Sequence, residues 1–293
     1  MTLPDVETME NAIVGLASTP DGIYFAATQT GLLKSSDFGE NWESAFDSLA
    51  GGGSVPVTAV ALSPSIELFA AIPGGIGRSS DRGEQWKFVA LPLPIQIISA
   101  FAISPDFAHD RTIFAATTDD GVLRSEDGGM TWQAWNFGLL DHNVLSLAIS
   151  QGFAHDRTII AGTSSGLYCS TNRGKSWTAS DLNCGFAEIT SLASISDSSY
   201  VAIADEASLY RSTDFGQAWM NINVPASSIQ TVNAGRNIIV ITTDEAILRS
   251  DDQGESWEVI AQHTDSITAA ALIDEHRVLI GTAAGELQII SRR

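Results

Sequence analysis

The sequence predicts an all-β fold, a seven-bladed β-propeller of four-stranded antiparallel blades, on three observations. One octet of residues occurs six times at near-even spacing, each copy follows two short apolar runs of alternating pattern, and the runs return once more after the last octet.

The octets run from Ser35 to Trp42, Ser79 to Trp86, Ser125 to Trp132, Ser170 to Trp177, Ser212 to Trp219 and Ser250 to Trp257. Each has Ser first, Asp or Asn third, Gly fifth and Trp eighth. The defining residues are Asp37, Gly39 and Trp42; Asp81, Gly83 and Trp86; Asp127, Gly129 and Trp132; Asn172, Gly174 and Trp177; Asp214, Gly216 and Trp219; and Asp252, Gly254 and Trp257. Successive tryptophans lie 44, 46, 45, 42 and 38 residues apart, in or near the range of a propeller blade. An Asx side chain accepts backbone N–H bonds in a tight turn, Gly tolerates positive φ, and Trp buries a large ring between blades. The octets therefore read as structural turns. Asn172 keeps the acceptor oxygen without the charge, which argues for a hydrogen-bonded turn over a cation site.

The first run of each unit begins at Ile13, Val57, Ile98, Val144, Ile189, Ile229 and Ile267, and its third residue is always small, as where inner strands crowd an axis. A second run follows, and a third strand leads into the octet. The seventh unit, from about 267 to 291, lacks an outer strand, which a segment at about residues 3–8 is expected to supply. The whole chain, 1–293, is then one domain closed into a ring, at about 42 residues per blade. Closure removes exposed sheet edges. Lys34, Arg78, Arg124, Arg211 and Arg249, each just before an octet Ser, are repeat positions at a strand end.

With 35 acidic against 15 basic residues, the net charge is −20. Such a field disfavours nucleic acid and anionic lipid and favours cationic partners. The N-terminus has neither a basic region nor an apolar run of signal-peptide type, and no stretch is apolar enough for a membrane span, so the expected location is cytoplasmic with no membrane insertion. Cys169 and Cys184 alone form neither a disulfide framework nor a metal cluster. No phosphate-binding, dinucleotide or catalytic-triad motif occurs, so no cofactor is expected.

In this fold the octets share one face with the hairpins joining first to second strands. The opposite face carries the turns joining second to third strands and the linkers between blades. Those turns and linkers are acidic: Asp119, Asp120, Asp205, Glu206, Asp244 and Glu245 occupy equivalent turns, with Asp141, His142, His263 and Asp265 between blades. The expectation is a carboxylate rim around one mouth of the channel, able to dock a cationic partner. His142 and His263 lack a partner at metal-ligand spacing, so no metal is expected. The duplicates Phe107 to Ile113 and Phe153 to Ile159 read as copies of one hairpin, capped by Asp110 and Asp156.

The octets resemble the Asp-box, or bacterial neuraminidase repeat, and with its flanking strands the resemblance covers nearly the whole chain. It implies a hairpin between third and fourth strands, opposite any active site. Sialidases with these boxes use three arginines on the active face, whereas none of the twelve arginines here falls there. Xyloglucan-degrading glycosidases carry the boxes on two tandem propellers and use paired carboxylates; here there is one propeller, and its active-face loops are poor in aromatics. The single seven-unit layout is most similar to the photosystem II assembly-factor branch, which implies a non-catalytic protein-binding scaffold. That branch carries a basic surface patch for which this sequence has no obvious equivalent. A lectin-like glycan-binding module and a glycoside hydrolase using rim carboxylates are the alternatives.

Overall fold

A computed structural model describes residues 11–46, 54–91, 97–182, 185–263 and 265–292. Seven antiparallel sheets follow one another in chain order. Six have four strands and the last, among the described residues, has three. Blade one comprises β1 (Ile13–Ser18), β2 (Tyr24–Thr28), β3 (Leu32–Ser35) and β4 (Glu43–Ser44); blade two β5 (Ala59–Leu62), β6 (Leu68–Ile72), β7 (Gly75–Ser79) and β8 (Lys87–Ala90). Blade three has β9 (Ile98–Ile103), β10 (Ile113–Thr117), β11 (Val122–Ser125) and β12 (Gln133–Ala134), and blade four β13 (Val144–Ile149), β14 (Ile159–Thr163), β15 (Gly166–Ser170) and β16 (Thr178–Ser180). In blade five are β17 (Ile189–Ser194), β18 (Tyr200–Ala204), β19 (Ser208–Ser212) and β20 (Met220–Ile222). Blade six follows with β21 (Thr231–Gly235), β22 (Ile238–Thr242), β23 (Ala246–Ser250) and β24 (Glu258–Gln262), and blade seven with β25 (Ile267–Leu272), β26 (Arg277–Thr282) and β27 (Leu287–Ser291). The strand expected at residues 3–8 lies outside the described residues.

The second strand of most blades is buried along its whole length, because each blade is covered on both faces by its neighbours. Its apolar runs therefore need no polar alternation. Around the axis, Gly15, Ala59, Ala100, Ser146, Ser191 and Ala269 line a narrow channel of about 280 Å³, as their size requires. In blades one, three, four, five and seven the inner-strand pairing is bulged at the residue before the small one. A bulge turns one side chain out of the alternation. Three residues next to the small one, in blades two, three and seven, use their hydroxyls to bond the following blade: Thr58 Oγ1 to Ile98 O at 2.8 Å, Ser99 Oγ to Val144 O at 2.6 Å and Thr268 Oγ1 to Ile13 O at 2.6 Å. The last of these joins blade seven to blade one.

The octets form turns of one design. In the first, Ser35 Oγ donates to Asp37 Oδ1 and accepts from the Gly39 amide, while Asp37 also accepts from the Asn41 amide. The fourth and fifth residues are both left-handed, as in Phe215 (φ 62°) and Gly216 (φ 79°). The glycine has a second reason to be glycine: a Cβ on Gly216 would lie 2.4 Å from Ile160 Cδ1 of the preceding blade. Asn172 preserves the turn with one bond reversed. Its Nδ2 donates to Ser176 Oγ at 2.7 Å, whereas Asp252 accepts from Ser256 Oγ at 2.6 Å. Several octet indoles also donate to the previous blade, Trp86 to Ala45 O and Trp177 to Trp135 O, each at 2.7 Å.

The cations before the octets are largely buried and follow a rule that spans blades. Lys34 pairs with Glu84 and Arg211 with Glu255, in each case the sixth octet residue of the next blade. Where that residue is Met130, Arg78 turns to Glu67 of its own blade, which also holds Arg111. Where it is Lys175, Arg124 pairs with Glu126 and stacks on Trp135, 4.5 Å from the ring centre. The duplicated segments form single helical turns, α1 (Phe107–Asp110) and α2 (Phe153–Asp156), with Phe107 and Phe153 in the core. Asp110 and Asp156 accept from the amides of Thr112 and Thr158, as the capping expectation required.

Candidate functional site

The face opposite the octets is organised by threonines that end the second strands. Their hydroxyls close the turns that follow: Thr117 Oγ1 donates to Gly121 O and accepts from the Asp120 amide, and Thr163 Oγ1 donates to Gly166 O. Blade five has Ala204 at that place and instead makes a three-residue turn, 205–207, whose first two residues, Asp205 and Glu206, are both left-handed (φ 51° and 55°).

The linkers are stapled to these turns. His142 O accepts from the Gly121 amide, Asp205 Oδ1 from the Glu188 amide, Glu206 O from the Ile229 amide and Glu245 O from the His263 amide. The ten residues read from the sequence thus lie on this face, on turns and linkers, and none of them lines the channel, whose wall is made by inner-strand residues.

Asp141 is a clamp. Its carboxylate accepts from Ser164 Oγ at 2.8 Å, Ser165 Oγ at 2.6 Å and the Asn143 amide at 3.0 Å. Burial pushes its carboxyl upward, but these bonds outweigh it and hold the group below the usual carboxylate range. Asp119 is exposed and Asp120 half-buried, the latter's carbonyl accepting from Asn136 Nδ2. Asp265 is exposed, and its carbonyl accepts from His263 Nδ1 at 2.7 Å.

Three of the ten converge. Asp244, Glu245 and His263 line a groove of about 670 Å³ on blade six, together with Pro225 and Ala226 of the preceding linker and Leu248 and Val259 of β23 and β24. Asp244 is fixed there by Gln230 Nε2 at 2.7 Å and by the Ser228 hydroxyl. His263 Nε2 is buried without a partner. The groove combines an apolar wall with a carboxylate lip, a setting for a long cationic side chain whose stem packs while its head pairs. No Lys or Arg occurs among the described residues of these turns and linkers. Among the described residues no group of His, Cys, Asp or Glu is arranged to hold a metal ion, and no helix is long and apolar enough to cross a membrane.

The linkers carry three large apolar side chains that sequence reasoning missed, Phe137, Leu140 and Phe186, exposed by 81%, 85% and 90%, with Phe137 beside the fourth octet, where its carbonyl accepts from the Trp177 amide. The available signal was large apolar residues in glycine-containing linkers outside any period-two run.

The fold and this face define a seven-bladed propeller of repeated octet turns that presents an acidic, cleft-bearing surface. Residues 78–237 match the sequence profile of the photosynthesis system II assembly factor YCF48, and the chain belongs to that family. Among curated proteins no sequence match is found. Solved structures share the fold at low identity. YCF48 from Cyanidioschyzon merolae has a TM-score of 0.72 at 16% identity, over 99% of this chain and 97% of that one. A structure of YCF48 bound to D1 peptide has a TM-score of 0.73 at 16% identity, over 100% and 96%. The GH74 xyloglucanase from Xanthomonas campestris has a TM-score of 0.78 at 17% identity over 96% of this chain, which spans 52% of that enzyme.

Proposed function

We propose that this protein is a non-catalytic, assembly-factor-like scaffold that docks a cationic protein segment on the face opposite its octets. The observation that carries this reading is the blade-six groove, where Asp244 and Glu245 form a negative lip over Leu248 and Val259 on a face without described basic residues. Membership of the YCF48 family and the peptide held by a YCF48 relative support a peptide-binding role. The basic segment expected here follows from the charge of this chain, net −20.

The test is fluorescence anisotropy with a labelled lysine- and serine-containing peptide, titrated at several salt concentrations. Binding that weakens with salt, and by about tenfold in Asp244→Asn/Glu245→Gln, is expected. Binding unaffected by the double variant, or release of reducing sugar from xyloglucan by the wild type, would overturn it.

A further inference from the structure

We propose that blades three to five carry a second contact strip on this face, which docks a partner segment combining basic with large apolar side chains. This rests on the reading above and names the partner's chemistry more closely. Leu140 and Phe186 sit on consecutive linkers and are almost wholly exposed, at 85% and 90%. A single exposed apolar residue needs no explanation, but two nearly bare ones on neighbouring linkers, four and three residues ahead of their inner strands, call for a covering partner.

Both are held on ordered backbone. Leu140 is followed by the clamp Asp141, bonded to the blade-four turn through Ser164 and Ser165, and next to it Leu139 is buried in the core. Phe186 is followed by buried Ala187 and by Glu188, whose amide and carbonyl both bond Asp205. The anchors therefore pay little ordering entropy when covered.

Charge names what covers them. The blade-four turn between the two linkers, Ser164 and Ser165, is neutral, while the turns on either side bear Asp119 and Asp120, and Asp205 and Glu206. Along this arc the chain presents carboxylates, Leu140, a neutral turn, Phe186 and carboxylates again. A basic segment with large apolar side chains matches that sequence of surfaces, whereas an acidic or purely apolar one would leave carboxylates facing like charge or desolvated without a partner.

The experiment uses two fluorescent peptides of equal length and charge, one alternating lysine with leucine, the other with serine replacing leucine. Each is titrated into wild type, Leu140→Ser/Phe186→Ser and Asp244→Asn/Glu245→Gln, with thermal melts to verify folding. The wild type is expected to prefer the leucine peptide by about tenfold, the yield of covering two large side chains after ordering costs. The Leu140/Phe186 variant should lose that preference while binding the serine peptide unchanged, and the Asp244/Glu245 variant should keep the preference while binding both peptides more weakly. Equal binding of the two peptides by the wild type overturns the strip and leaves the cationic docking face standing. Failure of both peptides to bind overturns both. Self-association in sedimentation that the Leu140/Phe186 variant abolishes, without a preference for the leucine peptide, assigns the strip to a second copy of this chain and overturns the proposal.

Discussion

The Thr268 hydroxyl lies 2.6 Å from the Ile13 carbonyl and donates to it across the junction where the last inner strand meets the first. Thr58 and Ser99 make the same bond to Ile98 and Val144 between blades two and three and blades three and four. At the ring junction it links two segments 255 residues apart. Thr268→Val keeps the shape and removes the donor, so it should cost about 1–2 kcal/mol, measured by urea denaturation. In blade one the equivalent residue is Val14, facing blade two. Val14→Thr supplies a donor there and should stabilise by about 0.5–1 kcal/mol; no loss in Thr268→Val together with no gain in Val14→Thr would show that the hydroxyl ladder is incidental.

Gly216 meets two demands at once, a left-handed backbone at φ 79° and the Ile160 methyl of the preceding blade. Gly216→Ala should therefore destabilise by roughly 2–4 kcal/mol, combining the left-handed penalty with overpacking. Gly31, in the blade-one turn of the opposite face, has open space where its Cβ would be. Gly31→Ala should change stability by less than about 0.5 kcal/mol. Equal melting shifts in the two variants would remove the packing argument.

Acid should unfold the octets before the rest of the ring. Backbone and side-chain bonds from Asn41 hold the Asp37 carboxyl down to about 2, and bonds from Ser256 hold that of Asp252 to about 2. A carboxyl held below its unfolded value stabilises the fold above that value and ceases to do so as pH falls through the folded one. The urea midpoint should be flat above about pH 5 and fall between about pH 4 and 2. Asp252→Asn should copy the fourth octet, with Nδ2 donating to Ser256 as Asn172 donates to Ser176. It should keep the midpoint at neutral pH and make the acid limb shallower. An unchanged acid limb would place the sensitivity elsewhere, with Glu67 between Arg78 and Arg111 the next group to replace.

The repeat was legible because its demands are local. A tight turn needs an acceptor, a glycine and a capping serine at fixed offsets, and a crowded axis needs a small third residue. The surface was only partly legible. Leu139 and Leu140 are neighbours in sequence with opposite fates, 3% and 85% exposed, and nothing in their spacing distinguishes them. Likewise Asp244 and His263 line one groove, Asp244 held by Ser228 and Gln230 and His263 by its amide bond to the Glu245 carbonyl, a convergence decided by tertiary packing. The charges before the octets read as repeat positions, but the partners of two of them lie one blade on, Glu84 for Lys34 and Glu255 for Arg211, 50 and 44 residues away and beyond any local pattern.

That inter-blade rule yields the sharpest test of the ring's electrostatics. Arg124 is buried, with Nε and Nη1 lacking partners, because the position that carries Glu84 opposite Lys34 and Glu255 opposite Arg211 is here Lys175. Arg124 is instead held by Glu126 and the Trp135 ring, and Arg173 of the same octet as Lys175 adds a further like charge beside it. Lys175→Glu restores the missing carboxylate. Since residue 175 is exposed, screening limits the gain to about 0.5–1 kcal/mol, a rise of roughly 1–3 °C in Tm at low salt that shrinks as salt is added. The same change with Arg124→Met should gain nothing, because the new carboxylate then has no buried cation to meet. A gain that survives loss of Arg124 would come from general charge relief around Arg173, and the blade-to-blade pairing would not be its cause.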